Sequence, residues 1–266
     1  MKITVLAENT SGLDDIGTEH GLSLYIETQK HKILFDMGQS VLFEQNAQKL
    51  GKDIKSVDIA VLSHGHYDHG GGLQRFLELN LTAPVYASAY AFEKYYSGQD
   101  RYIGLDRKIL QLNAKRLVFI DDCVRIDDEL EIISCNGRKR PFANHSSQNM
   151  VTERDGEFTE DEFLHEQYLV VKEGGKSVVF SACSHKGILN IASWFDASAI
   201  VGGFHFSKID DEAFLTNAAN VLNKSNAKFF TCHCTGEKQY NYMKKIMNDR
   251  IEYISCGQQI NIQEEK

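Results

Sequence analysis

The chain has 266 residues, with 29 Lys and Arg against 37 Asp and Glu, so it carries a net charge of −8 at pH 7 with its 10 histidines neutral. Apolar residues make up 42% and charged residues 25%, ordinary globular proportions that exclude a disordered or collagen-like chain. The acidic balance is a poor match for a nucleic-acid backbone, and no apolar run reaches the roughly 18–20 residues needed to cross a bilayer. Glu8 interrupts the N-terminal stretch where a signal peptide would stay apolar, so a cytoplasmic protein is expected. The six cysteines form no CxxC pair, which argues against a zinc ribbon or a redox dithiol. Disulfides would be expected only in an oxidising compartment.

Strands are predicted at 2–7, 22–28 and 32–36, the last two joined by a short hairpin link at 29–31. Helical spacing over 41–50 stops at Gly51. Residues 57–62 (Val-Asp-Ile-Ala-Val-Leu) read as a brief strand covered on both faces. A helix starts near Gly71 or Gly72 and carries Leu73, Phe76, Leu77 and Leu79. A strand follows at 84–87, and Ser88 is placed as the N-cap of a helix through Tyr95. Residues 97–113 show no sustained period. Acidic turns split strands at 116–120, 123–126 and 129–135, and the polar, charged stretch 136–162 reads as a long loop on the substrate side. Strands at 167–172 and 177–181 flank Gly174-Gly175. After them come a helix at 187–195, a strand at 199–202, a helix at 212–222, a strand at 228–231, a helix at 236–247 and a last strand at 251–254. Each half thus places strands first and βα units after, with no Pro- or Ser-rich linker between them. One α/β domain spanning 1–266 and made of two packed half-units is expected.

The strongest chemical signal is Ser63-His64-Gly65-His66-Tyr67-Asp68-His69-Gly70, directly after the strand at 57–62. Imidazole nitrogen suits zinc and its neighbours in the first transition row, and carboxylate oxygen serves harder ions as well. On an extended turn His64 and His66 point to one side and can reach one ion, while Asp68 and His69 open the next segment and can serve an adjacent one. A merely solvated, histidine-rich turn is the bland alternative. An HxHxDH pattern between an apolar strand and a glycine-rich helix start is too specific for it.

At these residues the sequence resembles the metallo-β-lactamase superfamily, which implies a four-layer αββα sandwich with a one- or two-metal site. Phe35-Asp36-Met37-Gly38 is similar to an early turn of that fold, which implies that Asp36 supports the metal loop by hydrogen bonding. Read alone, Asp36 could equally cap the helix that begins near Ser40. At 180–187 the superfamily has a metal-bridging Asp that this chain lacks. His185 is the expected replacement, because imidazole ligates while neutral, and Cys183 reads as a small core residue. His233, in Thr231-Cys232-His233-Cys234, matches the superfamily's last metal histidine, with the flanking cysteines turned toward the core. The third-motif histidine has no clear counterpart; His145 and His165 are the candidates. The runs 19–24 (Glu-His-Gly-Leu-Ser-Leu), 183–188 and 202–206 (Gly-Gly-Phe-His-Phe) narrow the likeness, from Lys2 to about Gly257. They point to the subgroup typified by 7,8-dihydropterin-6-methyl-4-(β-D-ribofuranosyl)-aminobenzene-5′-phosphate synthase.

The resemblance implies a metal-dependent hydrolase or synthase-type transferase acting on a small, phosphorylated or pterin-like molecule. One or two divalent ions are expected, zinc first, with manganese or iron compatible. His64, His66 and a third ligand would hold one, and Asp68, His69 and His233 the other, with His185 shared. Asp68 and His205 are the expected catalytic residues; His205 could also be only a rim histidine. His20, with Glu19 to orient it, is the candidate substrate contact, and His31 is expected to be solvated. Arg138-Lys139-Arg140 could hold a phosphate or simply be a charged loop. Two rival readings stand beside this one: a phosphodiesterase or ribonuclease of the same superfamily, which the charge of −8 disfavours, and a metal-binding sensor without turnover. The expected partner is a small molecule, not nucleic acid or membrane. Tyr90, Phe92, Tyr95 and Tyr96 leave a homo-oligomer open.

Overall fold

Apolar strands that alternate between two partners build this fold, and the computed structural model describes residues 1–113, 115–144 and 148–262. In chain order the strands of the first half are β1 (Lys2–Ala7), β2 (Ser23–Glu27), β3 (Lys32–Phe35), β4 (Ile59–Val61), β5 (Val85–Ser88), β6 (Lys94–Ser97), β7 (Arg101–Tyr102) and β8 (Leu117–Ile120). They are followed by β9 (Cys123–Arg125), β10 (Leu130–Ile133), β11 (Met150–Arg154), β12 (Glu157–Glu160), β13 (Tyr168–Glu173), β14 (Lys176–Phe180), β15 (Ala199–Val201), β16 (Lys228–Thr231), β17 (Ile251–Tyr253) and β18 (Gln259–Asn261). The α-helices are α1 (Leu42–Lys49), α2 (Tyr67–Gly70), α3 (Leu73–Leu79), α4 (Lys108–Asn113), α5 (Ile188–Trp194), α6 (Glu212–Leu222) and α7 (Glu237–Met247). None is long and apolar enough to cross a membrane.

Two seven-stranded sheets face each other, ordered β18-β1-β2-β3-β4-β5-β8 and β17-β16-β15-β14-β13-β10-β9. In each, an antiparallel meander gives way to parallel strands linked through helices, beyond β3 in the first sheet and beyond β14 in the second. The register assigns alternate side chains to different layers, as the period of two requires. Ile59 and Val61 join the inter-sheet core with Val178, Phe180 and Val201. Ala60 and Leu62 face Phe43, Phe76 and Leu77 of α1 and α3, and Val179 and Ile200 face Ile191, Leu215 and Met243 of α5, α6 and α7. Helix, sheet, sheet, helix: this is the four-layer αββα sandwich.

Three elements depart from the expectations. Residues 89–93 turn instead of continuing a helix, because Tyr95 and Tyr96 extend as β6 and pair with Thr152 and Val151 of β11. The stretch 136–162 is not one loop: β11 and β12 form a hairpin whose two-residue turn, Asp155-Gly156, has positive φ at both positions. With β6 and β7 this hairpin makes a separate sheet, ordered β12-β11-β6-β7. Finally, β18 lies beyond the predicted last strand and returns to β1, where Ile260 pairs with Ile3. Within the aromatic run, Tyr95 stacks on His165 at 3.9 Å between ring centroids and Phe92 meets Phe119 at 6.1 Å.

Candidate metal centre

The strand ends that carry the motif residues open on one side of the sandwich. The turn after β4 passes so close to Ala91 that a side chain at position 65 would strike its carbonyl oxygen, which is why glycine stands there. Beneath the turn lies Asp36, fully buried and in left-handed backbone (φ 59°) at the end of β3. Its Oδ1 accepts from the Ser63 amide at 2.7 Å; its Oδ2 accepts from Ser63 Oγ at 2.6 Å and from His69 Nδ1 at 2.8 Å. Asp36 therefore supports the turn and does not cap α1; Glu19 instead accepts from the Gln39 and Ser40 amides ahead of that helix.

These bonds fix tautomers. A carboxylate only accepts, so His69 carries its proton on Nδ1 and turns a bare Nε2 toward Cys183 Sγ, 3.2 Å away. Ser63 Oγ donates to Asp36 and so accepts from His64 Nδ1 at 2.8 Å, leaving His64 Nε2 bare at 3.3 Å from His185 Nε2. His233 Nδ1 donates to Asn9 Oδ1 at 2.7 Å. Among the described residues, His66 Nε2 and His233 Nε2 are buried without a hydrogen-bond partner, as are Thr4 Oγ1 and Asn223 Oδ1 elsewhere, and Asp68 Oδ2 lies 3.5 Å from His233 Nε2. Such orphaned atoms are rare in proteins and need an explanation.

Among the described residues, ligand-type atoms converge in four groups, each with its atoms within 4.8 Å of one another: His64, Cys183 and His185; His69, Cys183 and His233; His20, Asp68 and His233; and His66, Asp161 and His165. Cys183 is thus the member shared by the first two groups, where His185 was the expected shared residue and Cys183 was expected in the core. The thiol follows β14 and lies between two histidine pairs. His66 lies beside the first group, with ring centroids 4.6 Å from His64 and 4.8 Å from His185. Burial pushes His66 down to about 3 and His233 down to about 4, and holds His64 and His185 well below the histidine range, so all four are neutral donors at pH 7. Burial alone would raise the Asp68 carboxyl, but His69, His20 and His233 hold it well below the carboxylate range. His69 is pushed up despite burial because Asp68 and Asp36 bracket it, which marks this spot as one that attracts positive charge. Burial also drives the Cys183 thiol up, so a cation is what would ionise it.

Other candidates resolve differently. Both nitrogens of His165 are engaged, Nδ1 accepting from the Gly65 amide at 2.8 Å and Nε2 facing Asp161 Oδ2 at 3.1 Å, so it props the turn that carries His64 and His66. His145 lies outside the described residues. His205 lines the cavity with its ring 4.6 Å from that of His185. His20 reaches Asp68 Oδ2 at 3.2 Å, and Asn9, not Glu19, orients it, at 3.3 Å from Nδ1. His31 is not simply solvated; its Nε2 meets Asp127 at 2.6 Å. Arg138 and Arg140 donate to the Trp194 and Glu162 carbonyls, and none of 138–140 lines the cavity. Of the flanking cysteines, Cys232 joins the inter-sheet core but Cys234 lines the cavity.

Three supporting residues escape a linear reading. Asn9 touches both His233 and His20. Glu166 accepts from the His185 amide at 2.6 Å, the Lys186 amide at 2.9 Å and Tyr168 Oη at 2.8 Å. Lys186, fully buried, donates from Nζ to Ser134 O, Asn136 Oδ1 and Glu166 O, each at 2.7 Å, and so clamps the turn that carries His185. A buried lysine beside a motif histidine was the one available signal.

A four-layer sandwich whose strand ends gather histidines, an aspartate and a cysteine defines a class of metal-centre proteins. Residues 16–187 match the family model of the metallo-beta-lactamase superfamily, and the chain belongs to it. It is 29% identical over 253 residues to an uncharacterized protein, MJ0448, of Methanocaldococcus jannaschii, covering 92% of this chain and 95% of the relative. From the same organism, 7,8-dihydropterin-6-methyl-4-(beta-D-ribofuranosyl)-aminobenzene-5'-phosphate synthase is 28% identical over 289 residues, covering 97% and 95%. Among solved structures, Tm1679, described as a metal-dependent hydrolase of the beta-lactamase superfamily, aligns with a TM-score of 0.82 at 32% identity, covering 99% of this chain and all of the other. Zn(2+)-bound PqqB of Methylobacterium extorquens shares the fold, with a TM-score of 0.63 at 11% identity over 98% of this chain and all of that one.

Proposed function

We propose that this protein is a metal-dependent enzyme, a hydrolase or synthase-type transferase, acting on a small phosphorylated or pterin-like molecule. The observation that carries the reading is the gathering of buried ring nitrogens, His66 Nε2 without a partner and His233 Nε2 with only Asp68 Oδ2 at 3.5 Å, among ligand-type residues drawn from both sheets. His64, His66 and His185 would hold one divalent ion, and Asp68, His69 and His233 a second, with Cys183 between them; zinc suits this nitrogen and sulfur set best. When bound, such ions polarise a substrate oxygen and bring water into the nucleophilic range near neutral pH. The chain's own residues do the rest. Asp36 and Asn9 keep His69 and His233 turned inward. His205 at the rim is placed to pass a proton to a departing oxygen, and His20 to hold a substrate oxygen beside Asp68.

A cavity of about 110 Å³ over the cluster is small beside the roughly 300–1,000 Å³ of ordinary ligand pockets. It admits the reacting group while the rest of the molecule stays in the mouth. That favours a small substrate over RNA, as does the charge of −8. The test is elemental analysis of protein purified without added metal, followed by turnover on phosphate esters and pterin precursors. One or two divalent ions per chain and metal-dependent turnover are expected, with both reduced in His66→Ala and His233→Ala. Metal bound without turnover on any of these would favour the sensor, and unaltered metal content in both variants would refute the centre.

A further inference from the structure

We propose that the substrate carries a second anionic group of phosphate type, beyond the one that reaches the metal cluster, and that Arg101 and Lys208 at the cavity mouth select it. This rests on the metal-centre reading. The two cations come from unrelated parts of the chain: Arg101 from β7 of the small sheet, Lys208 from the segment after His205, and both line the same cavity. Both are exposed, and neither forms an ion pair among the described residues. Some other cations of this acidic surface are neutralised, as in Arg75–Glu44, Lys94–Glu153 and Arg154–Glu93; what sets Arg101 and Lys208 apart is that they line one cavity together. Arg101 is held in place by a neutral partner, donating to Tyr67 Oη at 2.9 Å with its guanidinium 6.0 Å from that ring.

The charge at the mouth is therefore opposite to that of the chain. Asp68 is the one carboxylate among the cavity's described lining residues, and His20, His69 and His233 already surround it. Two cations that form no ion pair among the described residues attract an anion from solvent. Ser97 and Ser207 also line the mouth and add hydroxyl donors. A guanidinium fork, an ammonium and two hydroxyls suit the several oxygens of a phosphate better than the two of a carboxylate. The small sheet thus supplies a specificity wall, since Ser97 and Arg101 are paired across β6 and β7.

The experiment titrates zinc-loaded protein calorimetrically with methyl phosphate and with ethane-, propane- and butanediol bisphosphates. The carbon chain serves as a ruler from the cluster to the mouth. At least one bisphosphate should bind about tenfold tighter than methyl phosphate, the size expected of one or two charge-assisted contacts. That preference should collapse in the Arg101→Gln, Lys208→Gln double variant; both positions are exposed, so folding is preserved. No preferred bisphosphate, or a preference that survives in the double variant, overturns the inference. Metal content measured on the same samples separates the two failures. Protein that takes up no zinc refutes the centre and this inference together, whereas zinc-loaded protein without the preference refutes this inference alone.

Discussion

Asp36 shows how much of the site hangs on a residue that would touch no substrate. Its three accepted hydrogen bonds hold the Ser63 amide, the Ser63 hydroxyl and the His69 ring, all buried. In Asp36→Ala those three donors lose their partner, and His69 is free to rotate or change tautomer. Zinc affinity should fall by about 10–100-fold, as for other outer partners of metal histidines, while circular dichroism still reports a folded protein. Competition with a chromophoric chelator measures this, and an unchanged affinity would show that His69 needs no such support. At this scale the sequence was legible where chemistry is contiguous: the HxHxDH run, Asp36 and His233 all stand at the site. It was illegible where partners are far apart. Asn9 meets His233 across 224 positions and Glu166 meets Lys186 across 20, and neither pairing leaves a local pattern. The place of Cys183 was hidden for a related reason: a buried thiol packs in most proteins, and only its neighbours in space set it among ligand-type atoms.

Elements with two buried faces or one clean apolar stripe were the readable ones. The run 57–62 is apolar because one set of its side chains meets the opposite sheet and the other set meets α1 and α3. The β11–β12 hairpin was missed because all of β12 is exposed, so no alternation marks it; the Asp155-Gly156 turn was its only signature. Helix ends are open to direct test. Asp211 accepts from the Ala213 and Phe214 amides at 2.9 and 3.1 Å and caps α6. Asp211→Ala should cost about 0.5–2 kcal/mol in urea denaturation and leave metal content unchanged. Between α1 and α3, Arg75 holds the Glu44 carboxyl below the ordinary glutamate value of 4.5. A carboxyl depressed in the folded state stabilises above its unfolded pKa and loses that contribution as pH falls through the folded one. The Tm difference between the native protein and Glu44→Gln should therefore be small but present near neutral pH, shrink below pH 4.5, and weaken with salt. A difference that grows on acidification would contradict the pairing.

At the level of the whole molecule, the proposed centre is a cross-link between the sheets. His64, His66, Asp68 and His69 follow β4 of the first sheet, whereas Cys183 and His185 follow β14 and His233 follows β16 of the second. The sheets are otherwise joined by a core of side chains such as Phe35 and Phe180, whose rings lie 5.7 Å apart, and by β18 crossing back to β1. An ion gripped from both sides binds the native arrangement and not the unfolded chain, so it adds stability by mass action. At a free zinc concentration 100 times the dissociation constant the gain is about 2.7 kcal/mol. For a chain of this general size that is roughly 5–10 °C in Tm. Dialysis against a chelator should lower Tm by that amount, and restoring zinc should recover it. If instead verified loss of metal leaves Tm unchanged, the ions do not favour the native arrangement over the unfolded chain, and the cross-link between the sheets is refuted.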